Sequence, residues 1–421
     1  MSKLFIEGGK PLEGEIPVQG AKNAILPILA ATLLNGDENI IHHCPRLRDV
    51  EKTVEVLRAL GCYVRWEDDT LTVDSSGMCC CRIDEELMRQ MRSSIIFLGA
   101  ILSRWGEAVV SMPGGCEIGT RPIDLHLKAM QQLGVRIREA HGYIYCNAHV
   151  PCGTTIHLDF PSVGATENVM LAAVRAKGIT VITNAAREPE IVDLQNFLNK
   201  MGAKIVGAGG SVIRIDGVAK LSGVEYSCMP DRIVAATYLA CGAVTNSMLT
   251  VDGVCPNHMS AMLSVLREMD VPLLVEPDRV TVLPYQKLKK IDTLRTMPYP
   301  GFPTDIQSPF MALAATAEGT SVFIETIFEN RYQHVEELNR MGADIKVDGR
   351  TAVVRGVPKL SGANVVAREL RGGAALVVAA LAAEGETCID RVEYIDRGYE
   401  QIESYLSACG ASIKRLGDQK E

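Results

Sequence analysis

The chain has 421 residues and a formal net charge of −8 at pH 7, with 47% hydrophobic, 22% charged and 5% aromatic residues. At roughly 100–200 residues per domain, this length predicts two or three domains, and the composition is typical of a globular chain. The negative charge and the few aromatic rings exclude a protein that binds nucleic acid or an anionic membrane through its overall charge. Any anionic ligand must therefore be held by a local cluster of cations.

The N-terminal sequence Met1-Ser-Lys-Leu-Phe lacks the apolar segment of a signal peptide, and no run of about 18 uncharged apolar residues follows. We therefore expect a cytoplasmic protein with no membrane partner. Its thirteen cysteines include the run 79–81 but no C-x-x-C pair that would indicate zinc or a redox centre. They are predicted to be reduced thiols, most of them packing residues, and no metal is expected.

One structural unit recurs six times along the chain. In each copy an amphipathic helix ends at a short joint and is followed by a strand that turns back as a hairpin. In chain order the joints are Leu60-Gly61, Leu133-Gly134, Met201-Gly202, Met269-Asp270, Met341-Gly342 and Cys409-Gly410. The second residue of each joint stands where a helix end needs the left-handed conformation, which favours glycine.

Each unit also contains a second, almost wholly apolar helix, which must lie in the interior. These helices are predicted at 25–34, 95–102, 169–174, 233–240, 312–317 and 374–383. The sequence therefore predicts an α/β protein with two domains, each of three units that bury their apolar helices and keep their sheets outside. Crossovers between the domains are expected near 224–230 and near the N-terminus, with the ligand site in the cleft between them.

The starts of the buried helices are polar, and four of them carry cations that the helix dipole disfavours. These cations are Lys22, Arg92, Arg232 and Arg371. Their repeated placement indicates bound anions, and the alternative is that they are surface charges paired with nearby carboxylates. The helix start Ser162-Val163-Gly164 is suited to binding a phosphate group, and the alternative is that Ser162 is an ordinary helix cap. No P-loop or G-x-G-x-x-G motif supports an ATPase or a Rossmann dehydrogenase.

The segment 113–126 predicts an exposed, mobile loop. Cys116 lies among glycines and near Arg121, whose charge favours a thiolate. We therefore interpret Cys116 as a reactive cysteine, whereas His126 in the helix that follows is interpreted as structural.

Seven segments together resemble the enolpyruvyl transferases over essentially the whole chain. They are residues 20–24, 113–122, 162–166, 184–193, 298–305, 328–331 and 395–399. The resemblance implies two inside-out α/β barrel (prism) domains, formed by 22–229 and by 1–21 plus 230–421, with the active site in the cleft. It implies transfer of the enolpyruvyl group of phosphoenolpyruvate to the 3-hydroxyl of UDP-N-acetylglucosamine, with release of phosphate and no cofactor. That reaction is the first committed step of peptidoglycan synthesis and the target of fosfomycin.

The resemblance also implies roles for individual residues. The phosphate of phosphoenolpyruvate would be held by Lys22, Arg121 and Arg397, and its carboxylate by Arg371. Cys116 would be the acid that protonates the methylene group, and Asp305 would face the acceptor hydroxyl, unless Asp305 is only a helix N-cap. The nucleotide sugar would be bound by Arg121, Pro122, Asp124, Leu125, Ser162, Val163, Gly164, Asn23, Asp305 and Ile327, with Arg92 lining the cleft. Glu369 departs from the usual Asp of the family, which puts the orientation of Arg371 in question.

Two alternatives remain. The sister enzyme that makes 5-enolpyruvylshikimate 3-phosphate has the same fold but lacks the Cys loop. A non-catalytic paralogue that binds a UDP-sugar is disfavoured because Lys22, Cys116, Asp305 and Arg397 occur together. The oligomeric state is not predicted.

Overall fold

The computed structural model describes residues 2–90, 92–112, 123–148 and 151–417, with only the backbone of 90, 92 and 93. The chain forms two compact units. One contains residues 2–19 and 230–417, and the other contains the described residues between 20 and 229. Each unit encloses a hydrophobic core of its own.

Two N-terminal strands, β1 (Lys3–Glu7) and β2 (Glu13–Pro17), precede the unit of residues 20–229. Its helices are α1 (Lys22–Ala31), α2 (Arg48–Ala59), α3 (Glu85–Gln90), α4 (Phe97–Trp105), α5 (Asp124–Gln132), α6 (Val163–Ala173) and α7 (Pro189–Lys200). Its strands are β3 (Glu38–His42), β4 (Tyr63–Glu67), β5 (Thr70–Asp74), β6 (Glu107–Ser111), β7 (Arg136–Ala140), β8 (Tyr143–Asn147), β9 (Thr155–His157), β10 (Ile179–Thr183), β11 (Lys204–Val206), β12 (Val212–Asp216) and β13 (Glu225–Ser227). Short 3₁₀ turns lie at Thr32–Leu34 and Arg92–Ile96.

The unit of residues 230–417 has the same kinds of elements. Its helices are α8 (Arg232–Val244), α9 (Ser260–Glu268), α10 (Thr304–Ala314), α11 (Val335–Arg340), α12 (Leu370–Ala382) and α13 (Ile402–Ala408). Its strands are β14 (Met248–Asp252), β15 (Leu273–Val275), β16 (Arg279–Val282), β17 (Thr293–Arg295), β18 (Thr320–Ile324), β19 (Asp344–Asp348), β20 (Thr351–Arg355), β21 (Asn364–Val366), β22 (Glu386–Asp390) and β23 (Ser412–Leu416). Two 3₁₀ turns lie at Pro256–Met259 and Val392–Arg397.

The described strands form six sheets, three in each unit, and five of the sheets share one order. In the sheet β17-β18-β20-β19, for example, β17 and β18 are parallel and the other two pairings are antiparallel. The sixth sheet, β6-β8-β7, has a single parallel bridge between Arg82 and Val109 where the others have a parallel strand. The predicted sixfold repeat is therefore confirmed.

The two N-terminal strands complete sheets of the unit formed by residues 230–417. Strand β1 lies between β22 and β23, with Leu4 opposite both Ile389 and Arg415. Strand β2 runs parallel to β14, with Ile16 opposite Val251. These pairings join residues more than 200 positions apart, and they place β1 and β2 in this unit.

The apolar helices lie in the cores, as predicted from their composition. In one unit α8, α10 and α12 pack against one another, and in the other α4 packs against both α1 and α6. Helix α8 is buried from Arg232 to Ala243, because a helix that is apolar on nearly every face has no polar side to expose to solvent. At the six joints the second residue has a positive φ, from 60° at Asp270 to 105° at Gly202, so the predicted helix ends are confirmed.

A buried carboxylate fixes the crossover that leads from β13 to α8. Asp193 on α7 accepts a hydrogen bond of 2.6 Å from the Tyr226 hydroxyl and one of 3.3 Å from the Met229 N–H. Burial raises the pKa of Asp193 to about 6, although both hydrogen bonds oppose that rise. The crossover backbone therefore depends on a carboxyl group that titrates near neutral pH.

Candidate active site

Lys22, the first residue of α1, is paired with a carboxylate. Its Nζ lies 2.7 Å from Oδ2 of Asp49 in the first turn of α2, and the two side chains are only 10% and 6% exposed. A cation at a helix N-terminus opposes the helix dipole, and Asp49 compensates for it within the protein. Lys22 is thus paired with a carboxylate, but it is buried and is not the surface charge that the alternative expected. The neighbouring Asn23 is exposed on the same helix.

The start of α6 is a capped helix terminus with close backbone packing. Ser162 is the N-cap, and its hydroxyl accepts a hydrogen bond of 3.3 Å from the Ala165 N–H. A Cβ on Gly164 would lie 3.2 Å from Cε1 of His126, so a side chain there would have to displace the imidazole. Ser162, Val163 and Gly164 are half-buried, which leaves this helix start partly accessible.

His126 attaches α5 to this helix start. Asn168 on α6 accepts a bond of 2.6 Å from the Gly99 N–H through Oδ1, which directs its Nδ2 towards Nδ1 of His126 at 3.0 Å. The imidazole therefore accepts at Nδ1, and it is buried as the sequence interpretation expected. This contact brings the exposed Asp124 and the half-buried Leu125 of α5 to the same side of the unit as Ser162–Gly164.

Asp305 lies between two buried arginines. It is the second residue of α10, and its side chain is 28% exposed. Its Oδ1 lies 3.1 Å from Nη2 of Arg331, and its Oδ2 lies 3.4 Å from Nη2 of Arg371. Because Pro303 is the N-cap of α10, the alternative that Asp305 only caps this helix is wrong.

The segment before α11 is held against the start of α10 by a second carboxylate. Glu325 accepts a bond of 2.9 Å from the Thr304 hydroxyl and bonds of 2.7 and 3.0 Å from the N–H groups of Ile327 and Phe328. Both Glu325 and Arg331 are 2% exposed. The half-buried Ile327 is thereby placed beside the start of α10.

Glu369 is the N-cap of α12, and it also contacts Arg331. Its Oε2 accepts a bond of 2.8 Å from the Arg371 N–H and lies 3.5 Å from Nη1 of Arg331, while Oε1 accepts from the Gly372 N–H. A Cβ on Gly372 would lie 2.7 Å from Oε1. The glutamate therefore acts as the cap of α12, through both of its carboxylate oxygens.

Arg371 is 2% exposed, and its guanidinium lies 5.4 Å from the ring centroid of Tyr399. Burial alone would lower the pKa of this group, but Tyr399, Asp305 and Asp231 outweigh it, so the pKa is raised and Arg371 stays charged. Within the described part of the chain, its Nε and Nη1 have no well-aligned hydrogen-bond acceptor, although a side-chain hydrogen bond with Tyr399 contributes to the raised pKa. Buried donors of this kind are costly unless an acceptor arrives, and an anionic ligand would supply one.

Two further observations concern the described residues. In the described ranges, no group of three or more His, Cys, Asp or Glu side chains could hold a metal ion. None of the described helices combines the length and apolarity needed to cross a bilayer.

Comparison with known proteins gives the family. The chain matches the family EPSP synthase (3-phosphoshikimate 1-carboxyvinyltransferase) over residues 6–406. It belongs to this enolpyruvyl transferase family. It is 53% identical to UDP-N-acetylglucosamine 1-carboxyvinyltransferase 2 of Caldanaerobacter subterraneus subsp. tengcongensis, over 99% of this chain and 100% of that protein. It is 54% identical to UDP-N-acetylglucosamine 1-carboxyvinyltransferase 1 of Symbiobacterium thermophilum, over 98% and 95%.

Solved structures of enolpyruvyl transferases have the same fold. The crystal structure of the enolpyruvyl transferase NikO from Streptomyces tendae superposes with a TM-score of 0.90 at 26% identity, covering 99% of both chains. EPSP synthase from Acinetobacter baumannii superposes with a TM-score of 0.76 at 17% identity, covering 99% and 100%. The predicted fold of two inside-out α/β barrel domains is confirmed.

The other site residues expected from the family resemblance are distributed as follows. Arg397 ends the 3₁₀ turn Val392–Arg397 and is half-buried. Arg92 begins the turn Arg92–Ile96, and its side chain lies outside the described residues, as do Cys116, Arg121 and Pro122. The structure therefore brings together Asp305 and Arg371 in one unit, and the helices of Asp124–Leu125 and Ser162–Gly164 in the other.

Sequence reasoning did not include three charged residues of these clusters: Asp49, Glu325 and Arg331. Arg331 stands in one of the segments that carry the family resemblance, and this was the only signal that could have found it. Asp49 and Glu325 occur in ordinary helix and strand contexts, so their roles depend on the partners that the fold brings to them.

Proposed function

We propose that this enolpyruvyl transferase moves the enolpyruvyl group of phosphoenolpyruvate to the 3-hydroxyl of UDP-N-acetylglucosamine and releases phosphate, the first committed step of peptidoglycan synthesis. The observation that carries the acceptor is the identity of 53–54% over nearly the whole chain to two proteins named for this reaction. We also infer a cytoplasmic location, because both substrates are intermediates of cytoplasmic metabolism.

The described side chains suit this chemistry. Phosphoenolpyruvate carries a carboxylate as well as a phosphate, and a guanidinium with unused donors is a strong partner for a carboxylate. Arg371 has two such donors, and it is charged and buried. We assign the carboxylate to Arg371 and the phosphate to Lys22, Arg121 and Arg397, while Cys116 provides the proton for the methylene carbon.

Attack on the central carbon of phosphoenolpyruvate requires that the sugar hydroxyl lose its proton. Asp305 is a carboxylate that remains partly exposed between two arginines, so it can reach solvent or substrate while its charge is stabilised. Asp305 takes the hydroxyl proton in this proposal. The nucleotide part of the acceptor belongs to Arg121, Pro122, Asp124 and Leu125 for uridine, Ser162, Val163 and Gly164 for the diphosphate, and Asn23 and Ile327 for the sugar.

The proposal is tested by measuring phosphate release from phosphoenolpyruvate with UDP-N-acetylglucosamine or shikimate 3-phosphate as the acceptor. Mass spectrometry of the nucleotide sugar should show the gain of one enolpyruvyl group, and shikimate 3-phosphate should give no phosphate. Phosphate release with shikimate 3-phosphate alone would support the sister enzyme. Binding of UDP-N-acetylglucosamine without any phosphate release would support the non-catalytic paralogue.

A further inference from the structure

An ion pair joins the two elements to which the nucleotide is assigned. Nζ of Lys128 on α5 lies 2.5 Å from Oδ2 of Asp159, which stands between β9 and α6. Both side chains are exposed, at 53% and 59%. The hydrogen bond from Lys128 is the main reason why the pKa of Asp159 is lowered. The pair is therefore a surface contact between two charges, close in the chain to the Ser162 cap of α6.

Lys128 shares one face of α5 with residues that are assigned to the uridine. Residues three and four positions apart are neighbours on a helix surface, so Lys128 lies next to both Leu125 and Asp124. His126 stands only two positions earlier and faces another way, towards Gly164. The ammonium group of Lys128 therefore extends from the uridine face of α5 to the segment that leads into the start of α6.

A diphosphate at the start of α6 would meet exposed carboxylates. Asp159 stands three residues before Ser162, so their Cα atoms are at most about 11 Å apart, and the Ser162 N–H donates to the carbonyl two residues earlier at 2.7 Å in a tight turn. Asp124 is exposed on α5. The described residues 155–166 contain no lysine or arginine, and the one such residue of α5 is Lys128. Two phosphates beside these acids need a cation, and Lys128 is the cation that these two elements supply.

We propose that Lys128 is a binding residue for the diphosphate of the nucleotide sugar: its ammonium group moves from Asp159 to a phosphate oxygen when the ligand occupies the start of α6. This inference rests on the proposed function, in which Ser162, Val163 and Gly164 bind the diphosphate. The exchange costs little, because an exposed ion pair contributes little to stability and lysine has a flexible stem with three rotatable donors. Asp159 holds Lys128 beside the site in the free protein and competes with the ligand for it.

The competition by Asp159 distinguishes this proposal from an ordinary surface ion pair. If the pair only ties α5 to the segment before α6, loss of either charge should have the same small effect. If Lys128 binds phosphate, loss of the lysine charge should weaken ligand binding, whereas loss of the aspartate charge should strengthen it. The two variants are therefore expected to change the affinity in opposite directions.

Calorimetric titration of UDP-N-acetylglucosamine compares wild type with Lys128→Gln, Lys128→Arg and Asp159→Asn. We expect Lys128→Gln to raise the dissociation constant by about 5- to 20-fold, the loss expected for one charge-assisted hydrogen bond at a partly exposed site. Lys128→Arg should stay within about threefold of wild type because it keeps the charge. Asp159→Asn should lower the dissociation constant by about two- to fivefold, because a nearby negative charge is removed.

The matched control is Lys289→Gln in the unit of residues 230–417. Lys289 belongs to another exposed pair, with its Nζ 2.6 Å from Oδ2 of Asp270. Its loss should leave the binding of every ligand unchanged. All of these variants replace exposed side chains, so each is expected to fold like wild type.

UDP and uridine serve as simpler probes of the same site. The dissociation constant of UDP should rise in Lys128→Gln by a factor similar to that of the nucleotide sugar, whereas that of uridine should not change, since uridine carries no phosphate. In turnover, Lys128→Gln should raise the KM for UDP-N-acetylglucosamine at nearly unchanged kcat, as when binding to the ground state and the transition state is lost equally. The KM for phosphoenolpyruvate should not change.

Three results would overturn the role of Lys128 while wild type still releases phosphate, and they would leave the proposed function intact. They are unchanged binding of UDP-N-acetylglucosamine in Lys128→Gln, equal weakening in Lys128→Gln and Asp159→Asn, and a loss of uridine affinity as large as that of UDP. If wild type neither binds UDP-N-acetylglucosamine nor releases phosphate with it, the proposed function fails and this inference fails with it.

Discussion

Replacing Asp305 by Asn tests the central assignment with the smallest change in shape. The amide oxygen of the asparagine can still accept a hydrogen bond from Nη2 of Arg331. The amide NH₂ group then faces Nη2 of Arg371, and because both groups are donors, no hydrogen bond forms between them. No helix cap is lost, because Pro303 is the N-cap of α10. The variant therefore removes the charge and the proton-accepting oxygen but keeps most of the local structure.

The expected magnitudes follow from these contacts. Loss of a general base lowers the rate by about 10²–10⁴-fold, or about 3–5 kcal/mol in activation free energy. Leaving Arg371 without its carboxylate should cost about 1–2 kcal/mol of the free energy of unfolding, below the cost for a fully buried pair because Asp305 is 28% exposed. The effect on kcat should therefore clearly exceed the effect on stability.

The assay combines the kcat of phosphate release, calorimetric titration of UDP-N-acetylglucosamine and chemical unfolding. Asp344→Asn is the matched control, since Asp344 is also paired with an arginine, at 3.6 Å, but is 42% exposed on β19. The dissociation constant of the nucleotide sugar should change less than about threefold in both variants. Turnover of Asp305→Asn within about threefold of wild type would refute the assignment, and the base would have to be sought elsewhere.

Three further predictions concern other parts of the chain. Fosfomycin, an epoxide phosphonate, should alkylate Cys116 in preference to the other cysteines, because its phosphonate group directs it to the cation cluster. Peptide mapping that found the adduct mainly on the cysteines at 79–81 would contradict this prediction. Lys22→Gln should raise the KM for phosphoenolpyruvate by at least about 10-fold. Asp49→Asn should mainly lower the free energy of unfolding, by about 3–5 kcal/mol, as expected for a broken buried ion pair. An equal rise of the KM in both variants would be inconsistent with these roles. Because the pKa of Asp193 rises from its usual 3.8 to about 6 on folding, the folded state binds the proton more tightly and its stability falls by about 3 kcal/mol as pH rises through that interval. The free energy of unfolding of Asp193→Asn relative to wild type should grow by about 2 kcal/mol, most of that amount, between pH 4 and 6.5 in chemical denaturation. A difference independent of pH would contradict the assignment.

The architecture could be predicted because its signals are local. A helix end such as Met201-Gly202 is encoded by a residue that tolerates a positive φ, and the structure gives 105° there. The apolar run that becomes α12 is buried from Leu370 to Leu381, since no polar face is available to expose. Six repetitions of these two signals were enough to give the number of units and their internal order.

The site clusters could be predicted only in part because their contacts are long-range. Lys22 and Asp49 are 27 positions apart, and Asp305 and Arg371 are 66 positions apart. Nothing in the sequence near Lys22 distinguishes Asp49 from other acids of an amphipathic helix. The family resemblance supplied Asp305 and Arg371 but not the link between them, which exists only after α10 and α12 pack together.

Two of the cations at the buried helix starts are paired with carboxylates of the protein, which the sequence alone did not indicate. Lys22 and Arg371 lie beside carboxylates of the protein in the structure, so neither charge is buried alone while substrate is absent. If a substrate anion replaces Asp305 at Arg371, one carboxylate is exchanged for another, and little new desolvation of the cation is required. The displaced carboxylate, however, would then be destabilised unless a second cation stayed with it. Arg331, whose Nη2 lies 3.1 Å from Oδ1 of Asp305, is such a cation.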